Sequence, residues 1–250
     1  MGGWWPQVRR SVLVASTAVF TALVCVATMM FVLYVPATEG YFNLGETMVY
    51  TTAILMGPCV GALAGGLGSA LADLLLGFSV YAPATLVIKG IEGLAVGFLA
   101  RRSPKIRPSA WKGLTAGSAL LAGSLLGSIG AHYYSGDVSI TLGPGEGASI
   151  TVAAHVPVAL WVFLGVAVAV LVMALGAYLK PEAGWLVLSV LAGGALMVLG
   201  YFAYESFLYG PLAALAEVPV NVGQVSVGLA VALPLTRALK RRLRGLALSP

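Results

Sequence analysis

Lys89 and Glu92 stand three residues apart in the apolar run ATLVIKGIEGLAVGFLA, a spacing that puts both on one face of a helix. Further on, Tyr201, Tyr204 and Glu205 share a face by the same rule, as do Glu217, Asn221 and Gln224. Asn43, Glu46 and Asp73 complete a set of polar groups set into otherwise greasy sequence. Ionisable side chains cost free energy in a bilayer and mark a solute or ion path, or a paired structural site. Carboxylates, one lysine, amides and flat rings can hold a polar heterocycle by hydrogen bonds. They can equally pair with one another to lock helices together, and the residues by themselves leave both readings open. Arginine is absent from the set, which argues against a phosphorylated ligand. Five acids against one base (Glu46, Asp73, Glu92, Glu205 and Glu217 against Lys89) favour a neutral or cationic one. No phosphate-binding glycine loop, nucleophile motif or Asp-x-x-Asp pair occurs. An enzyme acting on a lipid-soluble substrate through Glu205 or Glu92 is therefore the weakest reading. His132 and His155 flank one loop but lack a third ligand, and Cys25 and Cys59 have no metal spacing, so no metal or cofactor is expected.

The elements that position these groups follow from composition. Of 250 residues, 59% are hydrophobic and 9% charged. A soluble domain carries about a quarter charged residues, so this chain is expected to be an integral membrane protein, all-α, in a single transmembrane domain over 1–250. Several apolar runs reach the roughly 20 residues that span a hydrocarbon core. Eight helices are expected: 1 over about Val12–Tyr34, 2 over Glu46–Met56, 3 from Pro58 to Leu76, 4 over Ala84–Ala100, 5 over Trp111–Ala131, 6 over Ala154–Tyr178, 7 over Gly184–Leu208 and 8 over Val218–Ala238. Gly57-Pro58 separates helices 2 and 3, since proline restricts the residue before it and suits the first turn of a new helix. Gly57, Gly61, Gly65, Ser69 and Asp73 recur every four residues, a small-residue stripe for close packing that ends on a carboxylate. VSITLGPGEGASITV alternates apolar and polar residues around Gly-Pro-Gly and predicts a hairpin over about 137–152. Pro234 is expected to kink helix 8.

Charge sets the orientation. Arg9 and Arg10 precede helix 1, and Arg101, Arg102, Lys105, Arg107 and Lys112 follow helix 4; Lys180 joins helices 6 and 7, and a basic tail ends the chain. Positive loops stay cytoplasmic. Eight crossings then put both termini in the cytoplasm and the hairpin outside. Of the 14 Lys and Arg, 13 (all but Lys89) lie on the inner side, against Glu182 alone of the 9 acids. The basic clusters are thus orientation signals that meet anionic membrane lipid, not nucleic acid. With depth read at about 1.5 Å per residue, every membrane-embedded charge falls in the outer half, over inner halves of Ala, Val, Leu and Gly. Such a protein can capture a solute from outside but has no polar path to conduct it inward. In helix 1, Ala18 and Ala22 lie one turn apart, a strip for packing inside the protein or against a partner.

Several motifs, in order, resemble the substrate-binding S components of energy-coupling factor (ECF) vitamin transporters. These are YFNLGE at Tyr41–Glu46, GPxxGALAGGLGSALADLLLG at Gly57–Gly77 and YAPxTLxIKGIEG at Tyr81–Gly93, with GYFAYESFLYG at Gly200–Gly210 and ALAEVPVNVGQVSVG at Ala214–Gly228. The likeness lies in helices 1–4 (11–100) and 7–8 (184–240), and is nearest to the branch with riboflavin and pyrimidine-precursor S components. The family usually has six helices, so the pair over 111–179 with its hairpin looks like an insertion, and Glu46 stands where Asp is common. The resemblance implies high-affinity capture of a water-soluble vitamin or heterocyclic precursor from outside, in the cell membrane. Riboflavin, a thiamine precursor, pyridoxine-like compounds and queuosine precursors all fit. It also implies a transmembrane coupling (T) subunit and two ATPase subunits as partners, docking on Ala18 and Ala22. Family ligand contacts fall on Asn43, Lys89, Glu92, Tyr204, Glu205, Asn221 and Gln224. The alternative is a membrane scaffold or assembly protein whose buried charges are purely structural.

Overall fold

A computed structural model describes residues 10–102, 107–143, 149–178 and 181–245. Arg9, Lys105, Lys180 and the hairpin turn at Pro144–Gly145 lie outside the described residues. The elements are α1 (Arg10–Met29), β1 (Leu33–Val35), β2 (Gly40–Phe42), α2 (Glu46–Met56), α3 (Pro58–Leu76), α4 (Ala82–Ala100), α5 (Pro108–Tyr133), β3 (Gly136–Leu142), β4 (Ile150–Val156), α6 (Val158–Tyr178), α7 (Pro181–Leu208) and α8 (Pro211–Gly245). The protein is an all-α membrane bundle: among the described residues seven helices are long and apolar enough to cross a bilayer, and one small sheet is added at an end. The eighth helix, α2, has 11 residues, about 16 Å at 1.5 Å per residue, and does not reach the length of a span.

Glycine decides how the first half packs. Gly57 turns the chain at φ 88°, a left-handed conformation that costs glycine little. α2 then folds back antiparallel on α3, with Ala53 against Gly61 and Val49 against Gly65, each pair equidistant from the turn. The same stripe receives α4: Gly61 lies on Gly93, Gly65 on the Lys89 carbonyl, and Gly97 on Pro58. Backbones this close exclude a side chain between them, the arrangement small residues permit in membranes. Extending the α2–α3 register puts Gly45 level with Ser69, so α2 starts about 10 Å short of the far end of α3. The missing turns of α2 leave space between helices, and the site lies there.

At the α2–α3 turn, an Arg101 guanidinium N–H donates to the Met56 carbonyl at 2.7 Å and the Trp185 indole N–H donates to the Leu99 carbonyl at 2.6 Å. The ends of α2, α4 and α7 therefore meet at what can be called the arginine end. The opposite, sheet end carries strands in the order β2-β1-β3-β4. Between the two lies a core that includes Val24, Val49, Ala53, Val96, Val190 and Leu229.

Several boundaries depart from expectation. α1 stops at Met29 instead of Tyr34, because Leu33–Val35 pairs with both Gly40–Phe42 and the hairpin; β-branched and aromatic residues before Pro36 suit a pleated strand better than a last helical turn. The hairpin is therefore not free-standing: Leu33 faces Leu142 and Tyr34 faces Thr141 across an added ladder. It is also longer than expected, with β4 running to Val156 and α6 beginning at Val158 instead of Ala154. α8 starts at Pro211, about two turns before the expected Val218, and contains both Pro219 and Pro234. Proline is well placed at a helix start, and beside the hydrogen bond that Pro219 cannot make, the Tyr134 hydroxyl donates to the Ala216 carbonyl at 2.9 Å.

Candidate functional site

The β1–β2 turn enters the space left by α2 and is strapped there by hydroxyls. The Tyr41 hydroxyl donates to Asp73 Oδ1 at 2.6 Å, and its ring stacks on Phe78 with centroids 4.4 Å apart. Tyr81 donates to the Thr38 carbonyl at 2.5 Å, and the Thr38 hydroxyl donates to Glu217 Oε2 at 2.5 Å. Burial, with the Glu205 and Glu217 carboxylates beside it, pushes the Tyr81 phenol well above the ordinary tyrosine range. It therefore stays a neutral donor. Glu39 holds φ 55° at the turn, and Gly40 follows against Glu217, whose Oε1 would lie 3.2 Å from an added Cβ. The loop then enters α2 through Asn43, whose Oδ1 accepts the Gly45 N–H at 2.8 Å, a side-chain turn that fixes the helix start.

Beneath the strap is a cavity lined by Thr28, Gly40, Tyr41, Asn43, Ser69, Asp73, Tyr81, Thr85, Lys89, Tyr201, Glu205, Glu217, Asn221 and Gln224. It leaves about 30 Å³ for the centres of water molecules, room for two or three waters at the ~10–15 Å³ that one needs.

Its charges divide into two groups. Lys89 is ion-paired with Glu46 and lies 3.4 Å from Glu92, with all three side chains at most 4% exposed. Glu92 also accepts the Tyr50 hydroxyl at 2.7 Å, so Lys89 is claimed from below by two acids. Across the cavity, Glu205 is 1% exposed and its Oε2 has no hydrogen-bond partner among the described residues; Oδ2 of Asp73 is likewise unmatched. On α8, Gln224 Nε2 donates to Asn221 Oδ1 at 2.8 Å, and Gln224 Oε1 accepts the Asn43 backbone N–H at 3.3 Å. The amides thus hold the end of β2 to α8 while facing the cavity.

Of the residues expected to contact a ligand, the structure brings Asn43, Lys89, Glu205, Asn221 and Gln224 into the lining of one cavity. Glu92 and Tyr204 are not part of it. Glu92 lies behind Lys89, and the Tyr204 hydroxyl donates to the Val80 carbonyl at 2.6 Å while its ring meets Tyr81 edge-on. Ala18 and Ala22 are exposed on α1. Thr28, Ser69 and Thr85 escaped the sequence reading. Two of them carried a signal: Ser69 sits on the glycine stripe one turn before Asp73, and Thr85 one turn before Lys89. His155 lies 2.9 Å from Asp137 across the hairpin, and His132 packs on Tyr133, so the two histidines have separate partners.

A sequence model for the family described as "ECF-type riboflavin transporter, S component" matches residues 10–180, a span that runs through α5 and α6. A protein of Pyrococcus woesei described as "Uncharacterized protein in gap 3'region" is 43% identical over 106 residues, 42% of this chain. The match spans 64% of that relative's length.

Proposed function

Because the chain belongs to the family of ECF-type riboflavin transporter S components, we propose that it is the substrate-specificity subunit of an ATP-driven importer, taking up a water-soluble vitamin or heterocyclic precursor with high affinity. The observation that carries this is a polar, ring-lined cavity at one end of the bundle, floored by the apolar core around Val49, Val96 and Leu229. A cavity of that shape captures but does not conduct. Release on the far side then requires a partner that moves the whole subunit: a transmembrane coupling subunit and two ATPases. On this reading the sheet end faces outside, the arginine end and both termini face the cytoplasm, and Ala18 and Ala22 form the docking strip. Asn43, Lys89, Glu205, Asn221 and Gln224 contact the ligand, while Glu92 and Tyr204 hold Lys89 and the Tyr81 ring in place.

The cavity is too small for a bicyclic solute as it stands, so binding parts its walls. The β1–β2 turn is the wall that can yield, since Thr38 at its tip is held by two hydroxyl bonds, while the Tyr41 ring anchors β2 on Phe78. We read α5 and α6 as a pair added to a six-helix core. They pack on each other through Gly123, Gly127 and Gly165 and reach the strap through β3, which pairs with β1.

Native mass spectrometry of protein purified from its own host should find a bound heterocycle, and Asn221→Ala should weaken its binding by roughly 1–3 kcal/mol through a lost buried hydrogen bond. Absence of any retained small molecule, with unchanged affinity for added ones, would sink the capture reading. The scaffold alternative draws on the internally compensated Glu46–Lys89–Glu92 group. It expects the same substitution to lower thermal stability, and no small molecule to raise it.

A further inference from the structure

The four-stranded sheet has two faces of opposite chemistry. Residues opposite one another in antiparallel strands point to the same side, so the register lines up rows across the strands. One row reads Phe42, Leu33, Leu142, Ile150, and Ile140 opposite Val152 extends its face. The row on the other face reads Tyr41, Tyr34, Thr141, Thr151. At one end of this polar row Tyr41 bonds Asp73 inside the bundle. At the other, the Thr141 and Thr151 hydroxyls bond each other at 3.0 Å, and His155 bonds Asp137. The apolar face carries no charge and is left uncovered, with Leu142 41%, Val152 53% and Ile150 69% exposed. It runs on into Val158, Val162 and Phe163 of α6, each more than half exposed along a membrane-spanning helix.

The strands also fix the depth of this face. β4 ends at Val156, two residues before the span of α6 begins at Val158. A hairpin standing upright on α6 would lift Ile150 about 25 Å away from it. Leu142, beside Ile150, instead pairs with Leu33, four residues after the span of α1 ends at Met29 and so at most about 14 Å from it. The hairpin therefore lies along the membrane surface. At its base the Trp161 indole N–H donates to the Tyr134 carbonyl at 3.0 Å, and Trp and Tyr are the residues that gather at a membrane–water boundary.

We infer that the apolar face of the sheet is a lipid-contact surface, on which Leu142, Ile150 and Val152 rest against the acyl chains of the leaflet at the sheet end. The open backbone edge of β4 then meets headgroups and water, which satisfy the N–H and C=O groups that hydrocarbon could not. Uncharged acyl chains suit a face without charge, while Asp137 and His155 stay on the wet side. Because β1 and β2 also carry the strap, lipid on this side supports the cavity wall from behind. The inference does not depend on what the cavity binds.

The test uses the full chain in phosphatidylcholine nanodiscs, with Cys25→Ala and Cys59→Ala removing the native thiols. Single variants Ile150→Cys, Val152→Cys and Ser139→Cys then carry the environment-sensitive NBD fluorophore. All three positions are exposed, so the label displaces no packing. Emission is recorded with and without doxyl-labelled phosphatidylcholine, a quencher confined to the acyl region. The inference expects labels at 150 and 152 to emit to the blue and lose most of their intensity to the quencher, and the label at 139 to emit as in water and keep its intensity. Water-like, unquenched emission at 150 and 152 overturns it. Blue-shifted but unquenched emission there also overturns it, because protein, such as a second copy of this chain, would then cover the face. Equal quenching at all three positions overturns the two-faced assignment.

Discussion

Replacing Lys89 with methionine removes the cation that Glu46 and Glu92 share while keeping the volume of its stem. Lys89 is 4% exposed, and its two partners are 1% and 0% exposed, so water cannot take over for the lost ammonium. Breaking a buried pair by deleting one member costs about 3–5 kcal/mol, because the remaining charge is left in low dielectric. Two carboxylates are stranded here, which puts the expectation at the upper end. At the about 2–4 °C per kcal/mol typical of chains this long, Lys89→Met should lower Tm by roughly 10–20 °C. The assay is a thermal melt of the detergent-solubilised protein followed by size-exclusion recovery. The control is the triple variant Lys89→Met, Glu46→Gln, Glu92→Gln, which removes all three charges and should recover most of the loss, since a neutral replacement of a buried ionic group is often no less stable. A single variant melting within about 2 °C of the parent would refute the reasoning, because Lys89 would not then be compensating its acids. A triple variant as unstable as the single one would show that shape, not charge, sets the effect.

Gly93→Ala inserts a methyl group into the Gly61 carbonyl oxygen at the α3–α4 contact and should cost about 1–3 kcal/mol by overpacking. Gly117→Ala, with nothing within 4 Å of the added carbon, should be neutral or stabilising by about 0.4–1 kcal/mol; equal melting of the two would show that the glycine stripe is not a packing device. Ala18→Leu with Ala22→Leu enlarges an exposed strip of α1 and should abolish co-purification with the coupling subunit while leaving ligand affinity within about twofold, a change under 1 kcal/mol. Retained assembly would remove the docking assignment.

Much of this protein is written locally. The apolar runs, the sparse charge and the positions of Gly57 and Pro58 set the membrane class and the break between α2 and α3, because helix period and turn chemistry depend on near neighbours. The four-residue stripe of Gly57, Gly61 and Gly65 likewise announced a close helix contact. Position along each helix also gathered Asp73, Lys89, Glu205, Asn221 and Gln224 at one depth, since depth is arithmetic on a known rise per residue. Three things waited for the tertiary structure. The strand Leu33–Val35 looked like the end of a helix until its pairing partners, over a hundred residues away in β3, were in place. Which acids claim Lys89 could not be read from five candidates, since the choice depends on how α2 and α4 are rotated about their axes. Whether Glu92 on α4 and Tyr204 on α7 face the cavity or stand behind it depends likewise on how each helix is rotated, which packing across the bundle decides and no local pattern encodes.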